Sequence, residues 1–325
     1  MDTARERKTA IAAYVFYVVL FYAILIFKIE PFLSYVSTFG LIGNVLAFPM
    51  YWAGLKIHPG ERRWPWVWFA ATGVLYFIGD LLWAFNEDWL GVAPESPSAC
   101  YLFYLINSYT CCCAFICYIR QIKNMDTGSI IFDVFVSILA LGGLLYRFIL
   151  QPLIADESVN LFTMFFHANM SVIDLALFTG ILMIIFGTAR SNFYTKRTLL
   201  LGLSFFACCF VEQLSLAIDV YELPMAALFS PFWTIPFWLF ALTATYPDED
   251  ETDEQEIAAL HKRFGRAIDC LQKLMPYLLA LAILVLVGPE AVWDDFVFSL
   301  VFLLLFARII KLLVVRLCSR RACEP

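Results

Sequence analysis

Charge is scarce in this sequence. Of its 325 residues, 15% are Asp, Glu, Lys or Arg, against about 25% in an ordinary soluble domain. Histidine is scarcer still, with three residues, and no two cysteines stand in a C-x-x-C spacing. The sequence also lacks a G-x-x-x-x-G-K-[ST] phosphate loop, an H-E-x-x-H metal pair and a G-x-S-x-G nucleophile turn. No polar stretch between its apolar runs is long enough for a soluble catalytic domain. These absences leave no basis for an enzyme or a cofactor, and none is expected. What is abundant is apolar: 62% of the chain is hydrophobic and 17% aromatic. A chain of this length cannot bury that much apolar surface in water, so soluble folds, nucleic-acid binders and disordered regulators are excluded.

The ten cysteines read as small, soft apolar residues. Cys111, Cys112, Cys113, Cys117, Cys208 and Cys209 lie inside apolar runs, and neighbours on a helix point about 100° apart, so Cys111–Cys113 cannot converge on one metal. The acidic charge is local. Residues 248–256 hold seven acids, which outweighs the formal net charge of −6 and leaves the remainder slightly basic.

A helix needs about 20 apolar residues to cross a bilayer. Ten such runs are expected, near 10–27, 33–55, 65–86, 99–119, 130–150, 165–187, 198–218, 225–245, 274–288 and 294–315. The first is too long in its apolar core for a cleaved leader, and Lys28-Ile29-Glu30-Pro31 offers no cleavage site. If the N-terminus is cytoplasmic, twenty of the 22 basic residues fall in cytoplasmic segments; only Lys28 and Arg147 fall outside. The outer loops carry acids instead, among them Glu87, Asp88, Glu95, Asp156, Asp219 and Glu222. This alternation obeys the positive-inside rule and predicts both termini in the cytoplasm. Trp52, Trp64, Trp66 and Trp68 fall at the inner interface, and Trp83, Trp89 and Trp293 near the outer one. After the acid run, Ile257, Leu260, Phe264, Ile268 and Leu271 recur at helical spacing. Residues 257–272 therefore predict a helix lying on the membrane surface, with His261, Lys262, Arg263 and Arg266 toward headgroups.

Two halves of the chain resemble each other. Asp80 and Glu212 are 132 residues apart, Asn44 and Asp174 130 apart, and the helices of Asp80 and Glu212 each precede an acidic, proline-containing outer loop. The expected fold is an all-α integral membrane protein of about ten helices, with a parallel four-plus-four repeat. Its parts are residues 1–31 (N-terminus and first helix), 32–150 (first repeat), 160–288 (second repeat, with the acidic loop 248–256) and 293–325 (last helix and basic tail). An even number of helices per unit keeps the repeats parallel.

A carboxylate at the bilayer centre costs about 2.5–3.5 kcal/mol even on the lenient insertion scale. The polar residues inside the apolar runs must therefore face protein or water. They include Asn44, Asp80, Asn107, Asp133, His167, Asn169, Asp174, Glu212 and Gln213. Asp80 lies about five residues from the outer end of its helix, or ~7–8 Å, and most of the set shares that outer depth. Asn44, Asp80, Trp83, Asn107, Asp174 and Glu212 are the expected lining of a cavity open to the outside. Structural hydrogen bonding between helices is the competing role for each; Asp133, nearer the inner face, fits that role better.

The run Gly79-Asp80-Leu81-Leu82-Trp83-Ala84, followed by Pro94, Pro97-Ser98 and Tyr101-Leu102-Phe103-Tyr104, resembles the multi-pass N-terminal sensor region of bacterial diguanylate cyclases. Phe132-Asp133, Leu139-Ala140, Leu150-Gln151-Pro152-Leu153 and Ile173-Asp174-Leu175-Ala176-Leu177 extend the likeness over about residues 35–315. In those proteins a C-terminal GGDEF domain makes cyclic di-GMP. No Gly-Gly-Asp-Glu-Phe occurs here, so this chain itself is not expected to make it. The resemblance implies a signal-input region of the bacterial inner membrane, detecting an extracytoplasmic or membrane-borne cue and transmitting it through the last helix. A ten-helix small-molecule transporter is the alternative, and an assembly scaffold a third. The expected partners are the lipid bilayer and a small ligand of unidentified structure. A homodimer stays open, and nucleic acid is excluded.

Overall fold

The computed structural model describes residues 3–29, 32–94, 97–121, 131–156, 159–190, 195–220, 226–246, 259, 262, 266–288 and 297–307. Every regular element among them is helical. In chain order these are α1 (Thr3–Phe27), α2 (Val36–Val45), α3 (Phe48–Ile57), α4 (Trp64–Ala84), α5 (Ala99–Ile119), α6 (Ile131–Leu145), α7 (Gln151–Ala155), α8 (Leu161–Arg190), α9 (Lys196–Val220), α10 (Ala226–Ala244), α11 (Arg266–Val287) and α12 (Val297–Ala307). The acid run 248–256 and most of 257–265 lie outside the described residues, as does the last helix beyond residue 307.

Seven helical stretches are long and apolar enough to cross a membrane: Arg7–Phe27, Val36–Ile57, Gly60–Trp89, Ala99–Ile119, Val134–Ala155, Leu161–Ile185 and Lys196–Ser215. Each of 20 residues or more spans about 30 Å, the thickness of a bilayer's hydrocarbon core. Their outward faces are apolar too. Phe16, Val19, Val172, Phe206 and Phe210 are all more than half exposed, an arrangement that only lipid makes inexpensive. Leu274–Val287 and Val297–Ala307 are apolar but shorter.

Local chemistry sets the breaks. Pro49 has no N–H to give the Val45 carbonyl, and its ring crowds that carbonyl. The second apolar run therefore splits into α2 and α3 at Leu46–Ala47, with Pro49 in the first turn of α3. Pro65 and Pro152 occupy the same kind of position in α4 and α7. By contrast, α11 runs unbroken from Arg266 to Val287 with Pro276 inside. The boundary expected near residue 273, between a surface helix and the ninth apolar run, therefore falls within one helix. Gly288, at φ +88°, closes that helix in the left-handed conformation that glycine adopts at no steric cost.

Helix α10 is the centre of the bundle. From Phe237 to Thr245 every residue is buried, and α1, α2, α3, α4 and α9 surround it. Two prolines, Pro231 and Pro236, lie inside it. Tyrosines from neighbouring helices bond its backbone: Tyr14 donates to the Pro231 carbonyl at 3.2 Å and Tyr51 to the Phe237 carbonyl at 2.8 Å. A second, smaller core joins α6, α11 and α12 through Val136, Ala140, Ile283, Phe298 and Val301. It meets the main bundle where Val134 of α6 packs with Leu182 of α8.

The two ends of the main bundle differ. At one end Arg7 lies 4.3 Å over the Tyr246 ring and donates to the Thr245 carbonyl. There too His58 stacks on Trp66, and Arg197 faces both Trp66 and Tyr118. Trp66 is therefore not an interfacial anchor as its position in the sequence suggests; it is 1% exposed, inside the protein. Trp52, Trp64 and Trp89 are well exposed, as a headgroup contact requires. The opposite end carries acids and a cavity.

Candidate functional site

The site begins at the end of α4 away from the arginines. Asp80 accepts two hydrogen bonds: Asn44 Nδ2 of α2 donates to Oδ2 at 2.7 Å and the Tyr104 hydroxyl of α5 to Oδ1 at 2.9 Å. The preceding residue makes this approach possible. A Cβ at Gly79 would stand 2.6 Å from Cε1 of Tyr104, so only glycine lets the ring lie against α4. Beyond Ala84 the helix widens into a π-helical turn, Phe85–Trp89, a departure often found at functional sites. The turn brings Glu87 to its own helix's Trp83, whose Nε1 donates at 2.8 Å, and to the hydroxyl of Ser37. Asp88 accepts from the backbone N–H of Thr38 at 2.6 Å. A carboxylate of one helix thus satisfies a free N–H in the first turn of another.

A related arrangement lies on α8 and α9. Gln213 Nε2 donates to Asp174 Oδ2 at 2.6 Å, and Cys209 Sγ to the Asp174 backbone carbonyl at 3.3 Å. The adjacent Glu212 makes no hydrogen bond or ion pair among the described residues.

Between these groups is a cavity of about 330 Å³. Asp80, Glu87 and Glu212 supply its carboxylates, and Ser37, His167, Gln213, Ser215, Ser230 and Thr234 its other polar groups. Six rings line it: Tyr76, Trp83, Tyr101, Tyr104, Phe166 and Trp233. They brace one another, Tyr101 meeting Phe166 edge-on at 5.1 Å and Trp83 at 6.1 Å. No lysine or arginine among the described residues lines it. The floor is closed. Tyr76 stacks on Phe237 at 4.0 Å, and beneath them Phe69, Phe205 and Phe240 pack together, each wholly buried. Among the described residues no group of three or more His, Cys, Asp or Glu side chains could hold a metal ion.

Of the six residues expected from the sequence, Asp80, Trp83 and Glu212 line this cavity. Asn44 stands one layer behind, holding Asp80, and Asp174 one layer behind, holding Gln213. Asn107 does not reach it. That residue is buried, its Oδ1 has no partner among the described residues, and the Thr110 hydroxyl bonds its backbone carbonyl. The position facing Asp80 on α5 belongs to Tyr104, three residues earlier and almost a full turn up the helix. Asn169 accepts from Tyr109 instead; the Asp133 side chain lies outside what is described. Apart from Trp83, the rings are what sequence reasoning misses. Tyr101 and Tyr104 share a helix face at a spacing of three, a visible signal. Glu87 was placed in a loop, because no hydropathy pattern announces a π-helical turn.

Compared with protein-family models, curated proteins and solved structures, the chain matches none. Fold and site together define an all-helical protein with membrane-spanning character and one described cavity among its helices.

Proposed function

We infer that this chain is a membrane-embedded receptor that admits a small molecule into the aromatic, carboxylate-bearing cavity and passes its presence on through the helix bundle. The observation that carries this reading is the cavity's shape and place: it sits at the acidic end of the bundle and ends on a packed aromatic floor. A closed floor suits a receptor; a transporter would have to open it in a second state of the bundle. On this reading the positive-inside pattern puts the cavity end outside the cytoplasm and both termini inside it, the resemblance puts the chain in a bacterial inner membrane, and ten spans would take α10 and the two shorter apolar helices in addition to the seven.

The parallel repeat belongs to the same reading. Asn44 and Asp174 each tie their helix to the next one of their own half, at Asp80 and Gln213. In each half the second and third helices are close neighbours, α4 with α5 and α9 with α10. Each third helix also contacts the first helix of the other half, α5 with α8 and α10 with α2. A two-fold axis along the membrane normal would relate such halves, with the cavity near it. The resemblance to diguanylate cyclase input regions fits as well, since Asp80, Trp83, Tyr101 and Tyr104 of the run that carries it line this cavity and Gly79 packs against Tyr104. Transmission has a contact route: α8 carries Phe166 and Met170 at the cavity and Leu182 against α6, and Phe298 of α12 lies against Gly143 of α6.

The test is a thermal-stability screen of the purified chain against a small-molecule library, with Gly40→Leu as the blocked control. A Cβ at Gly40 meets nothing within 4 Å and Gly40 lines the cavity, so a leucine there starts into open space beside the cavity. Hits should raise the Tm of the native chain and leave Gly40→Leu unmoved. Equal stabilisation of both overturns the site. Saturable flux of a hit into liposomes overturns the receptor in favour of the transporter.

A further inference from the structure

The lining of the cavity specifies the charge of what enters it. Three carboxylates face it, no lysine or arginine among the described residues answers them, and His167, the one basic group in the described lining, forms no ion pair with them among the described residues. Two are already provided for: Asp80 by Asn44 and Tyr104, Glu87 by Trp83 and Ser37. Glu212 is not. It projects into the cavity from α9 without a hydrogen bond or ion pair among the described residues, beside Gln213, whose Oε1 is buried and also unpartnered. The Glu212 carboxylate oxygens are acceptors, so what they lack is a donor or a positive charge.

The rings sharpen this. An aromatic face carries negative potential, and cages of such faces hold quaternary and protonated amines. Trp233, Tyr76 and Tyr104 come from three different helices, so their rings approach the cavity from several sides. An anion would meet three carboxylates and six rings, with His167 the one basic group in the described lining to offset them. A neutral apolar molecule would leave Glu212 buried and unpaired. A metal ion would find no group of three His, Cys, Asp or Glu side chains among the described residues. A volume of about 330 Å³ fits a small organic molecule rather than a peptide.

Resting on the reading of the cavity as a binding site, we propose that its ligand is a small organic cation, a quaternary or protonated amine, whose charge pairs with Glu212 and whose carbon framework lies among the Tyr76, Tyr104 and Trp233 rings. No covalent step is involved. Recognition is by charge and ring faces, and the paired Asp80 serves to keep Tyr104 in position.

The experiment uses the full chain in lipid nanodiscs and two matched probe pairs: choline with its uncharged isostere 3,3-dimethylbutanol, and phenethylamine with 2-phenylethanol. Binding is read by tryptophan fluorescence and by calorimetry. The expected result is saturable binding of at least one amine, at least tenfold tighter than its neutral partner. Glu212→Gln should reduce that preference at least fivefold, and Glu61→Gln, at the far end of the bundle, should leave it unchanged. Since Glu212→Gln could disturb folding, its Tm and elution profile are measured alongside, and Trp233→Leu serves as an independent variant that should weaken the amine more than its isostere. Equal binding of amine and isostere, or a Glu212→Gln variant that folds and keeps the full preference, overturns the cation while leaving the cavity as a site for neutral molecules. Failure of every probe to bind overturns the cation. Failure of the library screen against Gly40→Leu is what overturns the site itself.

Discussion

Tyr104 holds Asp80 by a 2.9 Å hydrogen bond from its hydroxyl, and its ring lies where a side chain at position 79 would stand. One residue thus joins α4 to α5 twice, once through its polar tip and once through its apolar face. The consequence is that the carboxylate's position and the cavity wall are fixed by the same side chain.

That coupling is measurable. Tyr104→Phe keeps the ring and removes one donor from Asp80. We expect a loss of about 0.6–1.7 kcal/mol, the range for hydrogen bonds between membrane helices. In a double-mutant cycle with Asp80→Asn, unfolding of the purified chain should give a coupling of similar size. Additive losses would show that the bond contributes nothing. Asp80→Asn alone should insert and express near normally while altering the response to a ligand.

Gly79→Ala should act on the same pair by force. The methyl group displaces the Tyr104 ring from α4, so the Asp80–Tyr104 bond stretches or breaks. The expected cost is about 1–3 kcal/mol of overpacking, together with a change in cavity binding. A variant with native stability and native binding would contradict the contact.

Glycine-to-alanine changes elsewhere should differ in sign by environment. Gly40→Ala enters open space within a helix, where alanine is favoured over glycine by about 1 kcal/mol. Gly180→Ala drives a methyl group into the ring of Phe115, itself packed against Phe205 at 4.8 Å. That change should cost about 1–3 kcal/mol. Thermal unfolding of the two variants should move in opposite directions; movement in the same direction would refute the packing difference.

Orientation has a direct test. Reporter fusions truncated after Leu90 and after Gln121 place the reporter at the two ends of the bundle. Alkaline phosphatase should be active at the first and inactive at the second, with green fluorescent protein giving the reverse. The same compartment for both would sink the proposed topology.

Apolar run length and the position of basic residues are properties of the linear chain, so the sequence alone carried the membrane-spanning character and its punctuation. It also carried the demand that Asp80, Asp174 and Glu212 turn away from lipid, because the cost of a charge in hydrocarbon does not depend on which neighbour relieves it. Which neighbour does so is decided in three dimensions. Asn44 and Asp174 became supports behind the wall, and Asn107 missed the cavity, because a shift of three residues along α5 decides whether an asparagine or Tyr104 meets Asp80. Glu87 entered the site only because α4 widens into a π-helical turn, and α10 took the centre because its faces pack on five other helices. Those outcomes depend on how helices rotate and stack against each other, and hydrophobicity counted along one strand of sequence has no term for that rotation.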